Sequence, residues 1–123
     1  PRTRARIAEF GLQPRFDAIT TLRLCDPIGY LDFLRLMDNA ALILTDSGGI
    51  QEESTWLRVP CVTLRDNTER PESVEAGANL LAGADPEKIV AGARTMLPRR
   101  GGWANPFGDG HAGERIVERL LAG

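Results

Sequence analysis

The residues of this chain whose types and spacing most clearly suggest a chemical role are a serine and two glycines. They lie between an apolar run and an acidic stretch in residues 41–53. The apolar run predicts a buried strand, and the acidic stretch predicts the start of a helix. Backbone N–H groups in the first turn of a helix have no partner within the helix, and the helix dipole adds partial positive charge there. A strand, a glycine turn and a helix N-terminus in this order predict a phosphate-binding turn.

Each residue of this turn has its own predicted part. Gly48 and Gly49 have no side chains, so a phosphate oxygen could approach their amides closely. Ser47 could cap the helix or donate its hydroxyl to the same anion. Glu53 follows about one and a half turns into the helix, within reach of a ribose hydroxyl beside the phosphates. The turn matches neither the dinucleotide G-x-G-x-x-G nor a P-loop, so a Ser-Gly-Gly that only caps a helix is the alternative.

Strand and helix patterns alternate around this turn and predict a doubly wound α/β domain with a parallel sheet. Strands are expected at residues 18–24, 42–45, 61–64 and 78–82, and helices at 3–10, 30–39, 49–58, 72–76, 86–97 and 112–121. Asp85 is expected to cap the helix that begins at Pro86. In such sheets, ligands bind outside the carboxyl ends of the strands. The Ser47 turn and the polar loop at residues 65–71 are both expected at that edge.

Size and composition predict one globular domain. The chain has 123 residues, 42% of them hydrophobic, and its net charge of −2 gives no reason to expect nucleic acid as a partner. No apolar stretch is long enough to cross a bilayer and no signal peptide is visible, so we expect a cytoplasmic protein without a membrane partner. Cys25 and Cys61 lie in or beside strand-like runs and are expected to be buried free thiols; no metal-ligand spacing surrounds them.

Three segments resemble the C-terminal domain of the non-hydrolysing UDP-N-acetylglucosamine 2-epimerases: TDSGGIQEE, VPCVTLRDNTERPESVEAG and NPFGDGHAGERIVERL. The upstream segments DPIGYLDFLRLMDNA and PRTRARIAEFGL are similar to the same family, so the resemblance covers essentially the whole chain. It implies a Rossmann-like domain, residues 1–123, that forms the C-terminal half of a glycosyltransferase-B-like two-domain fold. The N-terminal domain would then be missing, which agrees with a sequence that opens at Pro1 without an initiator Met.

The resemblance also implies a reaction. In this family, UDP is eliminated in anti fashion from UDP-N-acetylglucosamine to give a 2-acetamidoglucal, and UDP adds back after C2 is reprotonated on the other face. No redox cofactor is needed. The acidic residues associated with the C2 proton belong to the missing domain, and a family histidine would fall immediately before Pro1, so no catalytic residue is expected in this chain. A homodimeric enzyme of surface-polysaccharide synthesis is the implied context.

Six residues of this chain match positions that bind the UDP-sugar in the family. The resemblance implies that Ser47, Gly48 and Gly49 contact the phosphates, Glu53 the ribose, Phe33 the uracil, and Arg70 the nucleotide sugar. One departure lies nearby, since some members carry a glutamine where this chain has Ile28. If that position holds uracil through its side chain, the contact is lost here.

Several of these residues have a structural alternative. Phe33 has the helical spacing of a core residue with Tyr30 and Met37. Arg70 could pair with a nearby acid and hold its loop, the candidates being Glu69, Glu72 and Asp66. Glu52 is expected to be an exposed or structural carboxylate, and Asp46 is expected to anchor the turn through backbone amides.

Two other functions are compatible with the same residues. A glycosyltransferase of the same architecture would also bind a UDP-sugar in its C-terminal domain, but it would transfer the sugar to an acceptor. A stand-alone nucleotide-binding module without chemistry is the second alternative, and the gene upstream of Pro1 would separate it from the enzymes.

Overall fold

The computed structural model describes residues 2–123, and these residues divide into two compact units, residues 2–33 and 34–123. Pro1 lies outside the described part. The helices are α1 (Arg2–Glu9), α2 (Gln13–Asp17), α3 (Tyr30–Asp38), α4 (Gly48–Trp56), α5 (Pro71–Glu75), α6 (Pro86–Met96) and α7 (Ala112–Leu121). The strands are β1 (Ile43–Thr45), β2 (Cys61–Thr63) and β3 (Asn79–Leu81).

The first unit contains no strand among its described residues, so the strand expected at residues 18–24 is wrong. The backbone amides in this stretch bond to carbonyls just before them, as Ile19 does to Phe16 at 3.0 Å and Leu22 to Ile19 at 3.1 Å. These local bonds replace the ladder that a strand would need, and β-branched residues alone do not make a strand. Cys25 is exposed as a result, so its expected burial is also wrong.

The second unit is built on a parallel sheet in the order β1-β2-β3. Leu44 pairs with Val62, and Val62 pairs with Leu80, in register across the sheet. α4 connects β1 to β2 and α5 connects β2 to β3, which confirms the predicted α/β class with a parallel sheet. Because the strands are parallel, the Ser47 turn after β1 and the loop after β2 leave the same edge of the sheet, as expected.

The core of the second unit lies where α6 packs on β2 and β3. A Cβ at Gly92 of α6 would lie 3.0 Å from Leu80 Cδ2 and 3.4 Å from Val62 Cγ1, so the glycine lets the helix approach the sheet closely. The Asp85 carboxylate accepts from the first amides of α6, at 2.8 and 3.2 Å, which confirms the predicted cap. The residues that form this core are Val62, Ala82 and Met96, with Leu42, Leu80 and Ile89 packed against them.

The two thiols should differ sharply in reactivity. Both cysteines are free, but Cys61 is fully buried and its burial raises the pKa of its thiol to about 11. We therefore expect a thiol reagent at pH 8 to label Cys25 in the folded chain and Cys61 only after denaturation. Mass spectrometry of a labelling time course checks this, with Cys25→Ser as the control, and labelling of both thiols at similar rates would contradict the burial.

Candidate functional site

The turn between β1 and α4 is anchored by Thr45, the last residue of β1. Its Oγ1 accepts a hydrogen bond from the Ser47 amide at 3.1 Å. The anchoring side chain is therefore Thr45 rather than Asp46, whose side chain is exposed and faces no amide of the turn among the described residues. Because the Ser47 amide is engaged in this bond, the donors that this turn can offer an anion are the Ser47 hydroxyl and the Gly48 and Gly49 amides.

The turn is open to an incoming ligand. Ser47 has extended backbone angles, φ −88° and ψ 128°, yet its hydroxyl makes no capping bond to α4. A serine present only to cap the helix would make that bond, so the geometry disfavours the capping alternative. A Cβ built at Gly49 would meet nothing within 4 Å, and one at Gly48 would lie 3.9 Å from Glu69 Oε2. The space above Gly49 is therefore free.

The loop after β2 is stiffened by its own ion pair. The Arg65 guanidinium donates to both carboxylate oxygens of Glu69, at 2.9 and 3.1 Å, and to Asn67 Oδ1 at 3.2 Å. These bonds from Arg65 hold the pKa of the Glu69 carboxyl below its ordinary value. The carboxylate of Glu69 is thus engaged with Arg65 and not with the guanidinium of Arg70.

Arg70 is tied to α4 by its side chain. Its guanidinium forms an ion pair with the Glu52 carboxylate, which lies beside Nε but outside hydrogen-bond geometry, and its Nη1 donates to the Glu69 carbonyl at 2.9 Å. Arg70 therefore pairs with Glu52 rather than with the expected Glu69, Glu72 or Asp66, and the structural role expected for Glu52 is confirmed. Arg70 is therefore paired with the same helix whose first turn contains Gly48 and Gly49.

Glu53 and Phe33, the residues predicted to bind ribose and uracil, both lie on helices. Glu53 is half-buried in the second turn of α4. Phe33 is half-buried on α3 and belongs to the first unit, where Ile28 is exposed. Of the residues with which Phe33 shares its spacing, Met37 is buried and Tyr30 is 61% exposed.

Sequence reasoning missed the polar residues beneath the site. α4 buries Gln51, Ser54 and Thr55, three polar residues, on one face. Gln51 accepts a hydrogen bond from Thr68 in the Arg70 loop at 2.6 Å. The available signal was the spacing, since polar residues at i, i+3 and i+4 on the face where a helix usually packs apolar side chains indicate a buried polar network.

Other chemistry is sparse in the described part of the chain. Within residues 2–123, no group of three or more His, Cys, Asp and Glu side chains is placed to hold a metal ion. No helix in the same range is long and apolar enough to cross a membrane. The single histidine, His111, precedes α7 and its Nδ1 lies 2.9 Å from Glu114 Oε2, an exposed pair at the start of a helix.

The chain is similar to known proteins of one family over nearly its whole length. The family model described as UDP-N-acetylglucosamine 2-epimerase matches residues 1–121. The chain is 53% identical over 123 residues to UDP-N-acetylglucosamine 2-epimerase from Methanocaldococcus jannaschii, covering all of this chain and 34% of that protein. A crystal structure of the enzyme from that organism, in complex with UDP-GlcNAc and UDP, superposes on the whole chain with a TM-score of 0.86, and the chain covers 34% of it.

A second relative is named for a different sugar. UDP-2,3-diacetamido-2,3-dideoxy-D-glucuronate 2-epimerase from Pseudomonas aeruginosa is 43% identical over 121 residues, covering 98% of this chain and 32% of that protein. The chain therefore spans about a third of the length of the curated relatives that it matches. Its fold is Rossmann-like and corresponds to part of a glycosyltransferase-B-like fold, as the resemblance implied. The chain belongs to the UDP-N-acetylglucosamine 2-epimerase family.

Proposed function

We propose that this chain is the UDP-binding half of a 2-epimerase that interconverts UDP-N-acetylglucosamine and UDP-N-acetylmannosamine. The Ser47 hydroxyl and the amides of Gly48 and Gly49 bind the diphosphate, and Arg70 contacts the nucleotide sugar. Glu53 binds the ribose and Phe33 lies at the uracil. The residues that move the C2 proton are supplied by a second domain, so the chain alone is inactive.

One observation carries this proposal: the Ser47 hydroxyl makes no cap at a helix N-terminus whose second residue, Gly49, faces open space. Amides of a helix N-terminus attract anions, and Arg70, which pairs with Glu52 of the same helix, carries a guanidinium whose fork suits a diphosphate. Family membership over residues 1–121 supports UDP as the anion. A helix that is simply capped needs neither the open space nor the uncapped serine.

The proposed groups suit the chemistry. Breaking the C1–O bond moves an electron pair and negative charge onto the diphosphate, while C2 loses a proton and the sugar becomes a 2-acetamidoglucal. Donors fixed before the reaction stabilise that charge without having to reorganise. The Gly48 and Gly49 amides are fixed in this way, because the turn that holds them is anchored by the Thr45 side chain.

The names of the relatives share UDP and differ in the sugar. Relatives more than 40% identical to this chain are named for two different UDP-sugars. The two names share UDP and a 2-acetamido sugar. This chain would therefore bind the UDP portion, and the second domain would select among sugars. A homodimer, a cytoplasmic location and a role in polysaccharide synthesis belong to the same proposal.

Titration of UDP into the isotope-labelled chain tests the nucleotide site. We expect saturable shifts in backbone amide resonances at residues 47–53 and around Arg70, since the phosphates meet those amides. ADP serves as the control and should cause weaker shifts, because uracil recognition is lost. Absence of shifts at millimolar UDP, or equal shifts with ADP, would contradict a UDP site on this chain.

Gly49→Ala separates ligand binding from capping. The added methyl would enter the open space where the phosphate must lie, while the folded chain has room for it. We expect UDP affinity to fall about tenfold, equivalent to about 1.4 kcal/mol, with the midpoint of thermal unfolding unchanged or slightly raised.

Gly113→Ala is the matched control, since Gly113 is also the second residue of a helix and also faces open space. It should leave UDP affinity unchanged. Equal UDP affinity for Gly49→Ala and the unmodified chain would mean that the phosphate does not lie above Gly49.

The whole enzyme can be tested by solvent exchange. If the gene extends upstream of Pro1, the longer protein should convert UDP-N-acetylglucosamine to its C2 epimer in D₂O without any acceptor. Deuterium should appear at C2, because the proton removed in the elimination is replaced from solvent. Turnover only with an acceptor would indicate a glycosyltransferase, and an in-frame start at Pro1 would indicate a stand-alone module.

A further inference from the structure

A buried amide pair lies beneath the candidate site. Gln51 on α4 and Asn79 at the start of β3 are both buried, and Asn79 Nδ2 donates to Gln51 Oε1 at 3.1 Å. Asn79 Oδ1 in turn accepts from the Thr63 hydroxyl on β2 at 2.9 Å. The amide pair therefore joins α4 to two strands of the sheet at the edge where the site lies.

The backbone N–H and C=O of Arg70 are both linked to this amide pair, each through one hydroxyl side chain. The Arg70 N–H donates to Thr68 Oγ1 at 3.0 Å, and the Thr68 hydroxyl donates to Gln51 Oε1 at 2.6 Å. The Arg70 carbonyl accepts from the Ser73 hydroxyl at 2.7 Å, and Ser73 Oγ accepts from Asn79 Nδ2 at 3.1 Å. The Asn79–Ser73 bond is buried and the other three are partly buried, so these chains restrain the position of the Arg70 backbone.

The side chain of Arg70 is held by the next residue of the same helix. Glu52, which follows Gln51, pairs with the Arg70 Nε. Consecutive residues of α4 thus fix the backbone and the guanidinium of Arg70, and the first turn of α4 contains Gly48 and Gly49. The same loop is also held by the Arg65–Glu69 ion pair and by the Ser73 amide, which donates to the Arg70 carbonyl at 3.1 Å.

A glutamine at position 51 lowers stability if its only role is to fill space. Its Nε2 is buried and has no hydrogen-bond partner within the described residues. A buried N–H left without a partner is destabilising, and an apolar side chain of the same shape would avoid that cost. What the glutamine contributes here is its oxygen, which accepts from both Thr68 and Asn79.

We propose that Gln51 is a positioning residue that, through Thr68, fixes Arg70 relative to the glycine turn, so that both meet one anion in a single geometry. Its effect on UDP rests on the function proposed above, whereas its hold on the Arg70 loop does not. Groups that bind one ligand from two elements must be fixed within a fraction of an ångström to act together.

A double-mutant cycle tests the link. Gln51→Met removes the acceptor oxygen at similar shape, and Thr68→Val removes the hydroxyl. Thr68→Val should weaken UDP binding by about threefold to tenfold, the effect of one hydrogen bond, and Gln51→Met by at least as much, since it also removes the acceptor for Asn79. The double variant should lose no more UDP affinity than the single variant that binds UDP more weakly, because both substitutions break the same Thr68–Gln51 hydrogen bond. Thr68→Ser, which keeps the hydroxyl, should restore the affinity.

The matched control is Thr55→Val, another buried side chain of α4. The Thr55 hydroxyl donates to the Gln51 carbonyl of its own helix at 2.7 Å and does not contact the Arg70 loop. It should leave UDP affinity unchanged even if it lowers stability. Additive losses in the cycle, or equal weakening by Thr55→Val, would overturn the proposal.

A second readout needs no ligand. Hydrogen exchange of the Arg70 amide in the free chain should be several-fold faster in Gln51→Met than in the unmodified chain, and unchanged in Thr55→Val. If the unmodified chain failed to bind UDP, the proposed function would fail while this measurement still decided the positioning role. Unchanged Arg70 exchange in Gln51→Met would overturn that role.

Discussion

The buried pairing of Gln51 with Asn79 is the interaction on which the candidate site depends. It joins α4 to β3 and, through Thr63, to β2, in a place where a helix usually packs apolar side chains on a sheet. The Asn79 Nδ2 to Gln51 Oε1 bond is directional, whereas contacts between apolar side chains are not. The orientation of α4 on the sheet is thereby fixed, and with it the direction in which its first amides point.

In the proposed site, the two loops on one sheet edge act together because both are attached to α4. The glycine turn is the beginning of that helix and is anchored behind by Thr45 on β1. The loop after β2 reaches the helix through Thr68 and through the Arg70–Glu52 pair. A Cβ at Gly49 would meet nothing within 4 Å, and Arg70 pairs with Glu52 of the same helix. Preorganised donors of this kind are what a leaving diphosphate requires.

Most of the elements of this fold could be predicted from sequence, because they are decided locally. Apolar runs, glycine turns and the Asp85 cap located β1 to β3 and the helices around them to within a residue or two. The strand expected at residues 18–24 failed because a strand needs a partner, which composition does not reveal. The partners of Thr45 and Arg70 were missed for a related reason. Several acids lie near Arg70 in sequence, and only the fold decides that Glu52, on another element, is the one that pairs with it.

The most direct measurement of this account is a crystal structure of the chain with UDP bound. We expect diphosphate oxygens within hydrogen-bond distance of the Gly48 and Gly49 amides and of the Arg70 guanidinium, with the Gln51–Thr68 bond intact. That result would show both loops binding one anion through α4. UDP bound at another surface, or a diphosphate that contacts only one of the two loops, would contradict it.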